Sequence, residues 1–353
     1  MGTNDQKLLQ DVVLIRILLI FLLIIYHSFL IYAGSWQKPD GYANITAYWW
    51  VAKAAYAGML ESFVFISGYL FAYQQEVKGK TNFSFKKLLI DKFKRLIIPC
   101  FLFSLLYYYI FIYNGENENT IRLIMQLFNG EGHLWFLPML FWCFVFGYFL
   151  TKFQLKKWKI LVFLIFFATI SGPLSVILPF QIGISYYYLL FFYLGYLFWN
   201  NKEILKRFVN LKYVIIALFS FVIVFISLTI LQNHLITYNI DHLFIKAFKV
   251  VLKRLSSITY SLFGVFLIYI SANYYLSFLG KSLNKTIVSL SSLSFGVYIY
   301  QEFILKLIYY KSPIPALVGP YWLPFVGLVI TIILSLALSK LTLSIRIGRY
   351  LLG

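Results

Sequence analysis

The chain has 353 residues, of which 61% are hydrophobic, 12% charged and 21% aromatic, and its mean hydropathy is +0.80. A soluble protein of this length cannot hide that much apolar surface, so the composition indicates an integral membrane protein. The net charge of +19 does not indicate nucleic acid. Its lysines and arginines gather in short segments between apolar runs, where they record membrane orientation.

Apolar runs long enough to cross a bilayer fall at 12–32, 47–73, 96–113, 133–150, 159–179, 183–199, 213–232, 256–278, 288–309 and 322–341. The expected fold is an all-α polytopic membrane protein of about ten helices, a single transmembrane domain over 1–353. Placing both termini in the cytoplasm puts 21 basic residues inside, with Lys159 and Lys340 at the inner ends of their runs counted there, 7 outside and 3 (Arg16, Lys53, Lys306) within runs, which agrees with the positive-inside rule. The first run is too long for a cleavable signal, carries Arg16 and is followed by no small-residue cleavage site, so it is expected to remain as a helix.

That first run also holds the pair that carries chemistry. Arg16 and His27 are eleven residues apart, close to three helical turns, so both lie on one face, roughly 16 Å apart along the axis. Each is costly in hydrocarbon, and the stripe they form predicts a bundle interior or a wet cavity. The competing reading is a snorkelling Arg and a His bonded to a neighbouring helix. The second run contributes Glu61 and the ninth Glu302, each reaching the middle third of the bilayer. Either carboxylate could fix the tautomer of a nearby imidazole and raise its basicity. Lys306, four residues after Glu302, offers an intrahelical ion pair instead.

Cys100 and Cys143 fall in apolar runs, and the four histidines make no cluster with ligand spacing, so neither a disulfide framework nor a metal site is expected. Walker, dinucleotide-binding and nucleophile-elbow motifs are missing. One segment departs from the charge rule: Lys246, Lys249, Lys253 and Arg254 fall on the outer side. An interfacial helix on anionic headgroups, a docking surface for an anionic acceptor and a miscounted helix all account for it.

Over nearly its whole length the chain resembles the acyltransferase-3 family of membrane acyltransferases. Arg16 and His27 fit the family's Arg, ten residues, His signature. Phe63-Val64-Phe65-Ile66-Ser67-Gly68 is similar to its phenylalanine-rich stretch ending in Ser-Gly. Lys92-Phe93-Lys94-Arg95-Leu96-Ile97-Ile98-Pro99 looks like its basic run before a proline. His133-Leu134-Trp135-Phe136-Leu137 and Phe191 to Gly195 resemble two later helix segments. Near the end, Ser294 to Gln301 is similar to a segment that commonly finishes in His. Gln301 cannot carry a proton at neutral pH, so it is expected to position a group.

The resemblance implies transfer of an acyl group, usually acetyl from acetyl-CoA inside, to a sugar hydroxyl at the outer face of a bacterial cytoplasmic membrane. His27 is then the base, with Arg16 on a coenzyme phosphate or the reacting carbonyl and Glu61 or Glu302 in support. Ser67, Lys92 and Arg95 are expected to contact the coenzyme, and His133, Trp135 and Gln301 the acceptor. Acyl-CoA is a donor substrate, and no cofactor is held permanently. The expected partners are the glycan, the lipid bilayer and glycan-assembly machinery. Succinyl is an alternative acyl group. A polysaccharide transporter or export factor, or an inert partner in glycan assembly, is an alternative role.

Overall fold

In lipid, each backbone N–H and C=O must be satisfied within its own segment, and apolar runs therefore fold as helices. The structure, a computed structural model, describes residues 10–78, 84–115, 119–152, 156–237, 243–280 and 283–352, and among these no strand occurs. Lys7, Lys80, His242 and Lys281 lie outside the described residues. The helices begin with α1 (Gln10–Ser28), α2 (Thr46–Tyr56), α3 (Met59–Lys78), α4 (Phe85–Lys92) and α5 (Ile98–Phe111), the last two joined by a π-turn, Phe93–Ile97. They continue with α6 (Thr120–Asn129), α7 (Phe136–Leu150), α8 (Lys157–Ile177), α9 (Ile182–Asn200) and α10 (Leu211–Thr237). Then come α11 (Leu243–Leu279), α12 (Lys285–Ser292), α13 (Ser294–Lys311), α14 (Ile314–Ser344) and α15 (Arg346–Leu352).

Among the described residues, 8 helical segments are long and apolar enough to cross a membrane, and α12 with α13, bent by 58°, makes a ninth if the pair is one span. The difference from the expected ten lies at 96–113. Pro99 has no N–H, and the π-turn before it changes the winding, so α5 alone has 14 residues. That is a rise of about 21 Å, short of the hydrocarbon core of about 30 Å. Helical winding nonetheless runs from Phe85 to Phe111 without a gap. A second difference concerns Lys246 to Arg254, which open the 37-residue helix α11 rather than forming a separate one. No proline interrupts α11, so nothing ends the helix between its basic first turns and its apolar remainder.

The chain divides into two compact units, Met1–Leu60 with Tyr275–Gly353, and Glu61–Tyr274. In the first, the terminal unit, α1 packs against α2, α12, α13 and α14, and α13 lies along α14. Ile31, Tyr32, Ile304, Leu305, Ile308, Tyr309 and Leu323 form an apolar cluster there. α14 is broken at Gly319, whose φ of 72° lies in the left-handed region. Just before the break, the Pro315 carbonyl accepts from Tyr42 Oη at 2.7 Å. Pro324 cannot donate to the Pro320 carbonyl, which accepts from the Tyr32 hydroxyl instead. Two tyrosines thus tie the segment after α1 to the start of α14.

In the second, the central unit, α9 packs on α7 and α8. α3 meets α9 through glycines: a Cβ on Gly68 would strike the Phe192 carbonyl, and one on Gly195 the Phe65 carbonyl. Small residues allow such approach where lipid supplies no hydrophobic drive between helices. On α10, Ile216, Leu218, Phe219, Ile223 and Ile226 are exposed, an apolar face suited to lipid.

Candidate functional site

In the terminal unit His27 lies on the buried side of α1, with Arg16 half-buried about three turns earlier. Glu302, on α13, is the acid that His27 meets: Nε2 lies 3.6 Å from Oε2, with side chains 7% and 3% exposed. That separation is an ion-pair contact, longer than a hydrogen bond. The other oxygen of Glu302, Oε1, is 3.8 Å from Lys306 Nζ, one turn on. The carboxylate therefore sits between an imidazole and an ammonium, a pairing that lowers the cost of burying it.

Trp36 completes the group. Its ring stacks on His27 with centroids 5.7 Å apart and planes at 24°, and Lys306 Nζ lies 5.3 Å from the indole centroid. Tyr310 Oη donates to the Gln37 carbonyl at 2.8 Å and Tyr309 Oη to the Ser28 carbonyl at 2.7 Å, so α13 holds both Trp36's segment and the end of α1. Gln301, adjacent to Glu302, is fully buried, and neither amide atom has a hydrogen-bond partner among the described residues. A buried carboxamide in that state offers both a donor and an acceptor. Asp11, buried at the start of α1, accepts from the Val12 N–H at 2.8 Å.

The remaining candidates lie in the central unit. Glu61, buried in the first turn of α3, accepts a hydrogen bond from Tyr187 Oη at 2.9 Å. Ser67 Oγ donates to the Phe63 carbonyl at 2.9 Å, so its hydrogen is already used. Lys92 closes α4 with Nζ 3.8 Å from the Phe144 centroid, a cation–π contact, and Arg95 is exposed on the π-turn. Such turns recur at functional sites. His133 is buried and Trp135 half-buried on a 3₁₀ turn, Gly132–Trp135. Ser104 Oγ accepts from the Glu131 N–H at 3.0 Å, and the Cys100 thiol donates to the Leu134 carbonyl at 3.7 Å, tying that turn to α5.

Arg16, His27, Glu302 and Gln301 thus belong to one unit, and Glu61, Ser67, Lys92, Arg95, His133 and Trp135 to the other. Of the two acids considered for His27, Glu302 is in contact with it and Glu61 has Tyr187. Sequence reasoning omitted Trp36 and Tyr187. Trp36 stands in an aperiodic loop, and its only signal is an indole nine residues after the histidine. Tyr187 lies in the second turn of α9, where an aromatic reads as interface or core.

A family model described as an acyltransferase domain matches residues 10–341. No curated protein and no solved structure gives a significant match. The matched range covers most of the chain, and the chain belongs to the acyltransferase-3 family: it is a multi-pass membrane acyltransferase.

Proposed function

We propose that this acyltransferase-3 protein moves an acyl group, acetyl by default, from cytoplasmic acyl-CoA to a hydroxyl of a cell-surface or secreted polysaccharide, in a bacterial cytoplasmic membrane. The observation that carries this reading is the buried His27–Glu302 contact of 3.6 Å. Acyl transfer to a hydroxyl needs a base, and imidazole is the side chain whose ordinary titration range suits that work. With Nε2–H directed at Glu302, Nδ1 is the nitrogen that takes the proton.

The step balances without a further reactant. As the sugar oxygen attacks the thioester carbonyl, His27 accepts the hydroxyl proton and a C–O bond forms. The C–S bond then breaks, and the imidazolium returns the proton to the departing coenzyme thiolate. Glu302 stabilises the imidazolium, while Lys306 holds the other carboxylate oxygen and Trp36 limits rotation of the ring. Arg16 supplies a fixed, planar charge for a coenzyme phosphate or for the carbonyl oxygen as charge develops. Lys92 and Arg95 suit the phosphates of the coenzyme, with Ser67 beside them in role. Gln301, His133 and Trp135 suit the hydroxyls and ring faces of the glycan. Mass spectrometry of the surface glycan from cells with and without the protein tests the reading and names the group. One acetyl or succinyl increment per modified residue is expected, and identical glycans would overturn it.

A further inference from the structure

The base and its carboxylate partner are closed off in the terminal unit. Their side chains are 7% and 3% exposed, too little for a sugar to reach the imidazole. Acyl transfer by this pair needs the acceptor hydroxyl at His27, so a group that covers the pair has to move. Two ring-side neighbours of His27, Tyr26 and Glu302, stand on the packed helices α1 and α13. Trp36 stands instead on residues 34–41, a strap outside any helix. Gly34, Ser35, Gln37, Asp40 and Gly41 are exposed, whereas Trp36 is half-buried. The indole thus turns inward onto the base from a segment that otherwise lies at the surface.

The strap is anchored beyond its ends and lightly held between them. Tyr32 and Tyr42, just outside it on either side, donate to the Pro320 and Pro315 carbonyls of α14. Gly34 and Gly41, at its two ends, have φ of 81° and 79° and open space where a Cβ would stand. The backbone can therefore swing at both points without a side chain in the way. Between the glycines, the side-chain bonds each have an exposed member: Ser35 with Tyr26, the Gln37 carbonyl with Tyr310 Oη, and Lys38 Nζ with Asn44 Oδ1. Water can take over such bonds at small net cost. Trp36 is held by ring contacts: His27 at 5.7 Å, Lys306 Nζ at 5.3 Å, and Tyr309 and Tyr310 edge-on at 6.3 and 6.5 Å. An indole so placed keeps water from the imidazole, and a thioester beside a base needs that protection.

We propose that Trp36 is the residue by which the site selects a sugar hydroxyl over water: the strap swings at Gly34 and Gly41 to admit the acceptor, and otherwise keeps the indole on His27. The assignment rests on the reading of His27 as the base for acyl transfer. Without the indole, water takes the place of the sugar. Its oxygen attacks the thioester carbonyl, His27 takes its proton, the C–S bond breaks and the thiolate receives the proton, leaving free carboxylic acid and coenzyme A. Purified full-length protein in nanodiscs is assayed with acetyl-CoA and succinyl-CoA. Each donor is given with and without de-esterified oligosaccharide released from the surface polysaccharide of the producing cells. Two readouts are taken: coenzyme thiol released without the acceptor, and acyl group carried to the oligosaccharide. Trp36→Ala is expected to raise acceptor-independent release about tenfold or more over wild type while transfer falls. Trp36→Phe, which keeps a ring over the imidazole, is expected to restore most of the coupling. A merely structural role would lower both readouts together. Should Trp36→Ala fail to fold, Tyr310→Phe removes the bond to the Gln37 carbonyl and is expected to leak in the same direction. Release at the wild-type rate, or a parallel loss of both readouts, in the folded variant would overturn the proposal while leaving the acyl-transfer reading intact. A wild type that carries neither acyl group to the oligosaccharide would overturn the transfer reading and this assignment with it.

Discussion

His27 and Glu302 face each other in a part of the chain where each is expensive alone, and their contact makes the cost bearable only while both charges are compensated. Glu302 contacts both His27 and Lys306, so in the proposed mechanism it stabilises a transient imidazolium and keeps Lys306 as a partner when the imidazole is neutral. Glu302→Gln keeps the shape and removes the charge. Acyl transfer by purified protein is expected to fall about a hundredfold or more, with insertion unaffected. Transfer within twofold of wild type would remove Glu302 from the mechanism. The eleven-residue spacing was enough to bring out Arg16 and His27, because a helix converts spacing into a face. Trp36 was not legible: its place beside His27 depends on tyrosine hydroxyls that reach carbonyls nearly 300 residues away in sequence.

At the scale of elements, the α3–α9 contact shows what the Ser-Gly and Phe-rich motifs do physically. Gly68 and Gly195 face backbone carbonyls so closely that neither position has room for a Cβ. Gly195→Val is therefore expected to destabilise the protein by about 1–3 kcal/mol or more through overpacking, read as a lower melting temperature in detergent. Melting at the wild-type temperature would show that the helices part without penalty. The helices themselves were largely legible, since an apolar run of sufficient length has few alternatives in lipid. Their interruptions were less so. The π-turn before Pro99 takes up the start of the third run, and α11 absorbs Lys246 to Arg254, because hydropathy reports where a helix is apolar and not where it starts.

At the scale of the whole molecule, the distribution of basic residues leads us to expect both termini inside, the orientation that the proposed transfer from a cytoplasmic donor to an outer acceptor requires. Single cysteines at Lys86 and Lys156 test it, since both lie in segments assigned to the cytoplasm. Cys100 and Cys143 are buried and should stay silent. A membrane-impermeant thiol reagent is expected to miss both engineered cysteines in intact cells and to label them after permeabilisation. Family membership was legible from the motifs and membrane character from the apolar runs. The division of those motifs between two units was not, because order along the chain carries no record of which helices pack together. The account turns on His27 as the base for acyl transfer. Its most direct test is the mass of the surface glycan from cells expressing wild-type protein beside cells expressing His27→Ala at equal membrane levels. Wild-type glycan should carry the acyl increment and the His27→Ala glycan none. An equal increment in both would contradict the account.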